Sequence, residues 1–173
     1  MKPARRRLVL AAGGGVLVAA IALSAWIGSI RGPAGPATGF GIAGISMQPD
    51  LWKAAVDYFG LSDLIAFYHT TSPYRRDHRA REYGFPDTDE AVLRELSPIQ
   101  HVGRIKAPLL VLHADRDPRV PIGQSDLIVA AMKERQMKVR YETYDHGGHG
   151  FVLPDHRRRA FAAIVEHLHQ HLV

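Results

Sequence analysis

The chain has 173 residues, of which 46% are hydrophobic and 23% are charged, values typical of one globular domain of modest size. The formal net charge is +5, but residues 1–49 hold five of the 22 basic residues and no acid, so residues 50–173 carry 17 basic and 17 acidic residues. Because phosphate binding needs a concentrated basic face, this balance predicts no nucleic-acid partner. The absence of cysteine excludes disulfides, thiolate metal sites and a cysteine nucleophile.

The N-terminal segment has the pattern of a membrane anchor or an export signal. A basic cluster over residues 2–7 precedes 23 uncharged positions over residues 8–30. At about 1.5 Å per residue, a helix of that length crosses a hydrocarbon core of roughly 30 Å. The segment is read either as an anchor with a cytoplasmic flank or as a signal cleaved near Ala22-Leu23-Ser24. A low-complexity leader around Gly13-Gly14-Gly15 is the alternative, and it predicts a cytoplasmic rather than a membrane-attached or exported protein.

Residues 31–48 contain five glycines and two prolines, which predict a linker or an irregular loop. The folded domain is predicted to begin at Pro49. Short apolar runs over 54–59, 109–113 and 139–144 predict three buried strands.

Helical patterns separate the predicted strands. A capping-box pattern at Asp87 and Glu90 predicts a helix start. Residues 125–136 predict a second helix. The helix at the C-terminus is predicted to bury its apolar side chains, which are Phe161, Ile164, Val165, Leu168 and Leu172. A predicted apolar face of the second helix holds Leu127, Ile128, Ala131 and Met132.

Strands separated by helices predict an α/β fold with a three-stranded parallel sheet covered on both faces. A parallel sheet of three strands is small, and its first strand needs a neighbour to cover its edge. No strand is evident upstream. The sequence therefore predicts part of a larger domain, with a second chain as one source of the missing strands.

Two polar segments follow consecutive predicted strands, and they hold the candidate catalytic residues. Loops that leave the carboxyl ends of adjacent parallel strands meet at one edge of the sheet. We therefore expect Asp117 and His149 to touch although 32 positions separate them. The carboxylate would fix the imidazole tautomer and leave the other ring nitrogen as a base. The alternative is that Asp115 and Asp117 only cap a turn and that His149 is an ordinary loop residue.

From about Pro49 to its end the chain resembles the C-terminal part of the catalytic domain of prolyl oligopeptidase family serine peptidases, particularly the acylaminoacyl-peptidase-like branch. Four segments carry the resemblance in the family's order: PDLWKAAVDYFGLSDL (49–64), TSPYRR (71–76), ELSPIQHVGRIKAPLLVLHADRDPRVP (95–121) and GGHGF (147–151).

The resemblance implies a partial α/β-hydrolase fold and a serine-type peptidase that cleaves a peptide substrate by acyl transfer. It implies that Asp117 is the triad acid, that His149 is the triad base and that Arg119 binds substrate. It implies no cofactor.

The nucleophile of that family is a serine in a G-x-S-x-G turn, expected about a dozen residues before Pro49. No such motif occurs in the sequence. Ser46 lies too close to Pro49, and Met47-Gln48 follow it in place of x-Gly. The other serines lie in the apolar leader or outside any such pattern: Ser24, Ser29, Ser62, Ser72, Ser97 and Ser125. The alternative functions are therefore an inactive membrane-attached remnant or interaction domain, or an esterase on the same fold.

Histidine pairs at helical or turn spacing raise the question of a metal site. The pairs are His167 with His171 and His146 with His149. Zinc takes three or four ligands, and histidines near a helix end more often interact with its dipole or with solvent. The sequence predicts no metal site.

Overall fold

A computed structural model describes residues 40–172, and the anchor or signal predicted over residues 8–30 lies outside them. Three strands form one parallel sheet in the order β1-β2-β3, with β1 at Ala55–Tyr58, β2 at Leu109–Ala114 and β3 at Val139–Tyr144. Ala55 pairs with Leu109, which in turn pairs with Val139. The predicted α/β architecture and its three strands are confirmed.

Six α-helices and two 3-10 helices surround the sheet in the described part of the chain. The 3-10 helices are Pro49–Leu51 and Pro98–Arg104. The α-helices are α1 (Phe40–Met47), α2 (Leu64–Thr70), α3 (Pro73–Tyr83), α4 (Pro86–Leu96), α5 (Gly123–Glu134) and α6 (Pro154–Leu172). Within residues 40–172, no helix combines the length and apolar character needed to cross a membrane.

The core consists of one apolar layer on each face of the sheet. On one face, α1 and α5 contribute Ile45, Ile128 and Met132, which pack against the β2 side chain of Val111. On the other face, α6 packs against side chains such as Leu110 of β2. All six residues of β2 are buried, as expected for a strand covered on both faces.

The prediction of an irregular linker over residues 31–48 is wrong at Phe40–Met47, which form α1. Residues 31–39 lie outside the described part of the chain. Ile42 and Ile45 are 0% and 1% exposed, so the folded domain begins before Pro49. A glycine costs a helix only about 1 kcal/mol, and burial of two isoleucines, worth roughly 1.5–3 kcal/mol each, outweighs that cost.

The C-terminal helix is confirmed, and Ile164 of its predicted inward face packs against the core, but that face is wrong at Phe161 and Val165. The buried residues of α6 are Ala160, Ala163 and His167, whereas Phe161 and Val165 are 61% and 66% exposed. Periodicity identifies an apolar stripe but does not show which layer covers it. In α6 the small alanines face the sheet with Ile164 beside them, whereas Phe161, Val165 and Leu172 lie on an exposed flank of the helix.

Two smaller predictions about the helices also need correction. Leu127 was placed on the buried face of α5, yet it is 42% exposed, whereas its neighbour Ile128 is fully buried. The start of α4 is capped by Asp89 instead of Asp87, because the Asp89 carboxylate accepts the backbone N–H of Phe85 at 2.9 Å. The N-cap residue is Phe85, which has no side-chain acceptor to offer.

The burial of α1 predicts that Ile45→Ala will destabilise the protein by roughly 2–5 kcal/mol, because the change leaves a cavity next to β2. Val165→Ala on the exposed flank of α6 is the matched control, and it should change stability by no more than about 0.5 kcal/mol. Urea denaturation followed by circular dichroism measures both. Equal effects of the two substitutions would contradict the packing of α1 in the core.

Candidate active site

The loops after β2 and β3 bring Asp117 and His149 together, as their positions predict. Nδ1 of His149 lies 2.7 Å from Oδ2 of Asp117. Because an ionised carboxylate only accepts hydrogen bonds, Nδ1 carries the proton and donates it to Asp117. In the neutral ring the lone pair is then on Nε2. The Asp117 side chain is fully buried while the imidazole is 26% exposed, so the ring connects a buried charge to the surface.

The second carboxylate oxygen of Asp117 is held by the backbone of its own loop. Oδ1 accepts the N–H of Arg119 at 2.7 Å and that of Val120 at 3.0 Å. Two backbone donors fix the plane of the carboxylate, so Oδ2 keeps its direction toward His149. The predicted substrate-binding residue Arg119 thus contacts the site through its backbone, and the residue is exposed to solvent.

An aromatic residue at the end of β1 supports the imidazole. The ring centroid of Phe59 lies 4.8 Å from that of His149, and Phe59 is 3% exposed. Its backbone has φ of 58°, a left-handed conformation that a bulky side chain rarely adopts. The Asp57 carboxylate accepts the N–H of Gly60 at 3.2 Å and closes this turn. Gly60 is required there, because a Cβ would lie 2.0 Å from Oδ1 of Asp57.

The turn places a buried carboxyl group next to the site. Asp57 is 2% exposed, and burial raises its pKa to about 7 although the Gly60 and Tyr58 backbone groups favour the charged form. Sequence reasoning did not identify Asp57 or Phe59. The signal available was a single charged residue inside an otherwise apolar predicted strand.

A second histidine packs against the loop that carries Asp117, and sequence reasoning did not identify it as a site residue. His113, on β2, is 0% exposed, with Nδ1 2.7 Å from Oγ of Ser125 and Nε2 2.9 Å from the carbonyl oxygen of Val120. Burial lowers its pKa, so the ring is neutral near pH 7. Its position four residues before Asp117, at the end of a strand, was the available signal.

Among the described residues, no serine hydroxyl forms a hydrogen bond with His149. Ser46 is fully buried in α1, and its hydroxyl donates to the carbonyl of Ala43 at 3.1 Å. Ser62 and Ser97 are also fully buried and donate to backbone carbonyls at 2.6 Å. The position expected for the nucleophile, about a dozen residues before Pro49, lies outside the described residues.

The histidines considered as metal ligands do not converge in the described part of the chain. The His167 and His171 rings pack edge to face with centroids 4.7 Å apart, and His167 is 3% exposed. Between residues 40 and 172, no group of three or more histidine, aspartate or glutamate side chains is close enough to hold a metal ion.

Comparison with known proteins places this chain in a family. The sequence profile of the prolyl oligopeptidase family matches residues 38–173, so the chain belongs to that family, as its motifs predict. Dipeptidyl aminopeptidase BIII of Pseudoxanthomonas mexicana is 35% identical over 130 residues, which cover 72% of this chain and 19% of that protein. Esterase LipC of Mycobacterium tuberculosis is 33% identical over 90 residues, which cover 49% of this chain and 22% of that protein.

The fold of this chain is also similar to that of a solved peptidase structure. A Mycobacterium tuberculosis puromycin-hydrolyzing peptidase superposes with a TM-score of 0.71 at 32% identity, covering 76% of this chain and 20% of that one. This chain therefore spans about a fifth of the length of these relatives.

The raised pKa of Asp57 predicts a specific pH dependence of stability. Between about pH 4 and pH 7 the folded protein holds a proton on Asp57 that the unfolded chain releases, so stability falls as the pH rises. The loss is at most about 1.4 kcal/mol per pH unit. Asp57→Asn should remove this contribution, so that the variant is more stable than the parent at pH 8 and similar to it at pH 4.

Urea midpoints at the two pH values measure the effect. Asp87→Asn, at an exposed position, is the matched control and should leave the pH dependence unchanged. A parent and an Asp57→Asn variant with parallel pH profiles would refute the assignment of this proton.

Proposed function

We propose that this chain carries the acid and the base of a serine-type peptidase, with His149 as the base and Asp117 as the residue that orients it. The observation that supports this function best is the 2.7 Å contact between them at the carboxyl edge of a parallel sheet. A serine hydroxyl that attacks a peptide carbonyl would pass its proton to Nε2 of His149. Asp117 would stabilise the imidazolium, which then protonates the leaving amine, and water would hydrolyse the acyl-enzyme. This chemistry needs no cofactor.

Arg119 is proposed to bind the peptide substrate near the reacting bond. Its backbone N–H is tied to Oδ1 of Asp117, so the root of its side chain keeps a fixed position next to the acid. The residue is exposed, and a guanidinium has five donors suited to carbonyl and carboxylate oxygens of a peptide.

The nucleophile is proposed to come from a segment that pairs with β1. The backbone N–H groups of Ala55 and Phe59 point toward β2, where they donate to Pro108 and Leu112. Because N–H groups alternate along a strand, those of Val56 and Tyr58 point to the other edge. Among the described residues no strand pairs with that edge. An open parallel edge accepts a further strand, which supports a partner segment or second chain.

The exposed flank of α6 lies on the same side as this edge. Two contacts orient α6: Arg159 lies 5.0 Å from the Tyr144 ring, and Glu166 accepts from Arg140 at 2.7 Å. Both contacts are with β3. Because a helix has 3.6 residues per turn, the flank of α6 opposite Arg159 and Glu166 faces away from β3, toward the β1 side of the sheet. That flank carries Phe161, Val165, Leu168 and Leu172, three of which are 47% to 66% exposed.

We call the open β1 edge and this flank together the β1–α6 surface. Its shape fits a β-strand with an apolar helix beside it. The proposed occupant is the preceding part of a prolyl oligopeptidase-type catalytic domain, which would also carry the G-x-S-x-G turn. The relatives are about five times as long as the part that this chain matches, which supports the preceding part of such a domain as the occupant.

Ester hydrolysis is the second candidate, favoured by the match to esterase LipC. Acid and base are the same in both reactions, so the difference lies in the substrate pocket. Membrane attachment or export through residues 8–30 stays a prediction from the sequence.

A fluorophosphonate probe tests the proposed function, because it phosphonylates activated serines. The purified chain alone should show no mass shift. Co-expressed with the preceding part of the catalytic domain of the Pseudoxanthomonas relative, the complex should be labelled on the serine of that part. His149→Ala should reduce the labelling rate by at least about 10³-fold, since the base is then missing.

Labelling that His149→Ala leaves unchanged would contradict the role of His149, and labelling of Ser46 in the chain alone would contradict a nucleophile from elsewhere. The labelled complex should hydrolyse peptide amides as well as esters. Hydrolysis of esters alone would select the esterase function.

The β1–α6 surface makes its own prediction. Phe161→Glu combined with Val165→Glu should abolish co-purification of the chain with the co-expressed segment, because two charges would be buried against an apolar helix. Ala162→Glu, at an exposed position on the β3 side of α6, is the matched control and should leave co-purification intact. Loss of binding by the control, or retention by the double variant, would show that the segment does not dock on this flank.

A further inference from the structure

The loop of Asp117 rests on a hydrogen-bonded path that begins in helix α5. The hydroxyl oxygen of Ser125 lies 2.7 Å from Nδ1 of His113, and Nε2 of His113 lies 2.9 Å from the carbonyl oxygen of Val120. The N–H of Val120 donates to Oδ1 of Asp117 at 3.0 Å. The carbonyl of Val120 is thus bonded to His113, and its N–H is bonded to the Asp117 carboxylate. The same carboxylate accepts a hydrogen bond from His149.

The partners determine where the proton of His113 resides. A backbone carbonyl only accepts, so Nε2 must carry the hydrogen. In the neutral ring Nδ1 is then the acceptor, and the Ser125 hydroxyl donates to it. Bulk solvent does not reach this ring, because His113 and Ser125 are both 0% exposed. The Val120 carbonyl therefore selects one tautomer of the buried imidazole, and the Ser125 hydroxyl supports that tautomer by donating to Nδ1.

This tautomer also determines the electrostatics around Asp117. Nε2 of His113 lies 3.7 Å from Oδ2 of Asp117, too far for a hydrogen bond but close enough for a strong charge–dipole interaction. With the hydrogen on Nε2, a positive N–H end faces both the Val120 carbonyl and the carboxylate. With the hydrogen on Nδ1, a lone pair would face two oxygens, and both would be repelled.

We propose that Ser125 and His113 are positioning residues, which fix the carboxylate of Asp117 toward His149 by holding His113 in the Nε2–H tautomer. This inference rests on the proposed function only in naming Asp117 and His149 as acid and base. Neither Ser125 nor His113 touches substrate. Their effect passes through Val120 and through the field at Oδ2.

Nuclear magnetic resonance with ring-¹⁵N histidine tests the proposal on the full, unsubstituted chain. The neutral His113 ring should show its proton on Nε2 near pH 7, with the signal assigned by its loss in His113→Gln. A proton on Nδ1, or a doubly protonated ring at that pH, overturns the proposal. The only variant that this measurement needs is His113→Gln, for the assignment, so it does not depend on whether His113→Leu or Ser125→Ala folds.

Exchange of the His149 Nδ1 proton with solvent provides the second measurement. His113→Leu should make it at least about tenfold faster, because the Asp117 carboxylate loses its support. Ser125→Ala should act in the same direction. His113→Gln should retain slow exchange, since its amide can donate to Val120 and accept from Ser125.

Ser97→Ala is the control for general loosening of the fold. Ser97 is as buried as Ser125 but bonds to backbone groups of Leu93 and Leu64. The positioning role would be overturned if Ser97→Ala accelerated exchange of the His149 Nδ1 proton as much as His113→Leu does. It would also be overturned if His113→Gln failed to keep that exchange slow. If these results appear as expected but the fluorophosphonate probe labels nothing, the peptidase proposal fails and the positioning role stands.

Discussion

Complete burial of β2 is the constraint on which the remaining structure depends. All six of its residues are shielded, with α1 and α5 on one face, α6 on the other and a parallel strand on each edge. A strand enclosed in this way cannot shift its register without exposing apolar side chains. The end of β2 is therefore fixed relative to the ends of β1 and β3. Asp117, His149 and Phe59 each follow one of these strands, so the sheet brings their loops to one edge, where the local turns orient the side chains.

The two buried aspartates near this edge show how the surroundings determine what a carboxyl group does. Asp117 has three N–H donors, from Arg119, Val120 and His149, which satisfy the oxygens of a carboxylate whose side chain is buried. Asp57 lies in β1 with only backbone donors in its own turn, and its pKa is raised to about 7. One carboxylate is thus held by its donors in a fixed orientation against the His149 ring. The other closes a turn and carries a proton over part of the neutral range.

Much of this arrangement follows from sequence patterns, and the exceptions have physical reasons. Strand β2 is a continuous apolar run after Pro108, so its position was predictable, and with the alternation of strands and helices it places Asp117 and His149 at one edge. Helix α1 was not predictable from Gly41 and Gly44, because burial of its isoleucines against the sheet overrides local propensity. The inward face of α6 depends on which neighbours cover it. The role of His113 depends on Ser125, which lies twelve positions away and is adjacent only in three dimensions.

The position of His149 explains why a strand added at β1 would complete the site. His149 follows β3, yet its ring packs against Phe59 at the end of β1, so its loop crosses the end of β2. Neighbouring strands lie about 4.8 Å apart. A serine at the end of a strand paired with β1 would therefore lie one strand spacing beyond Phe59, within reach of Nε2 of His149. Phe59 is held by the four-residue turn that Asp57 and Gly60 close. The same turn ends β1, whose open edge would accept the proposed strand, and it carries the ring that packs against His149. The proposed docking of a nucleophile segment would thus be coupled to the orientation of His149 through β1.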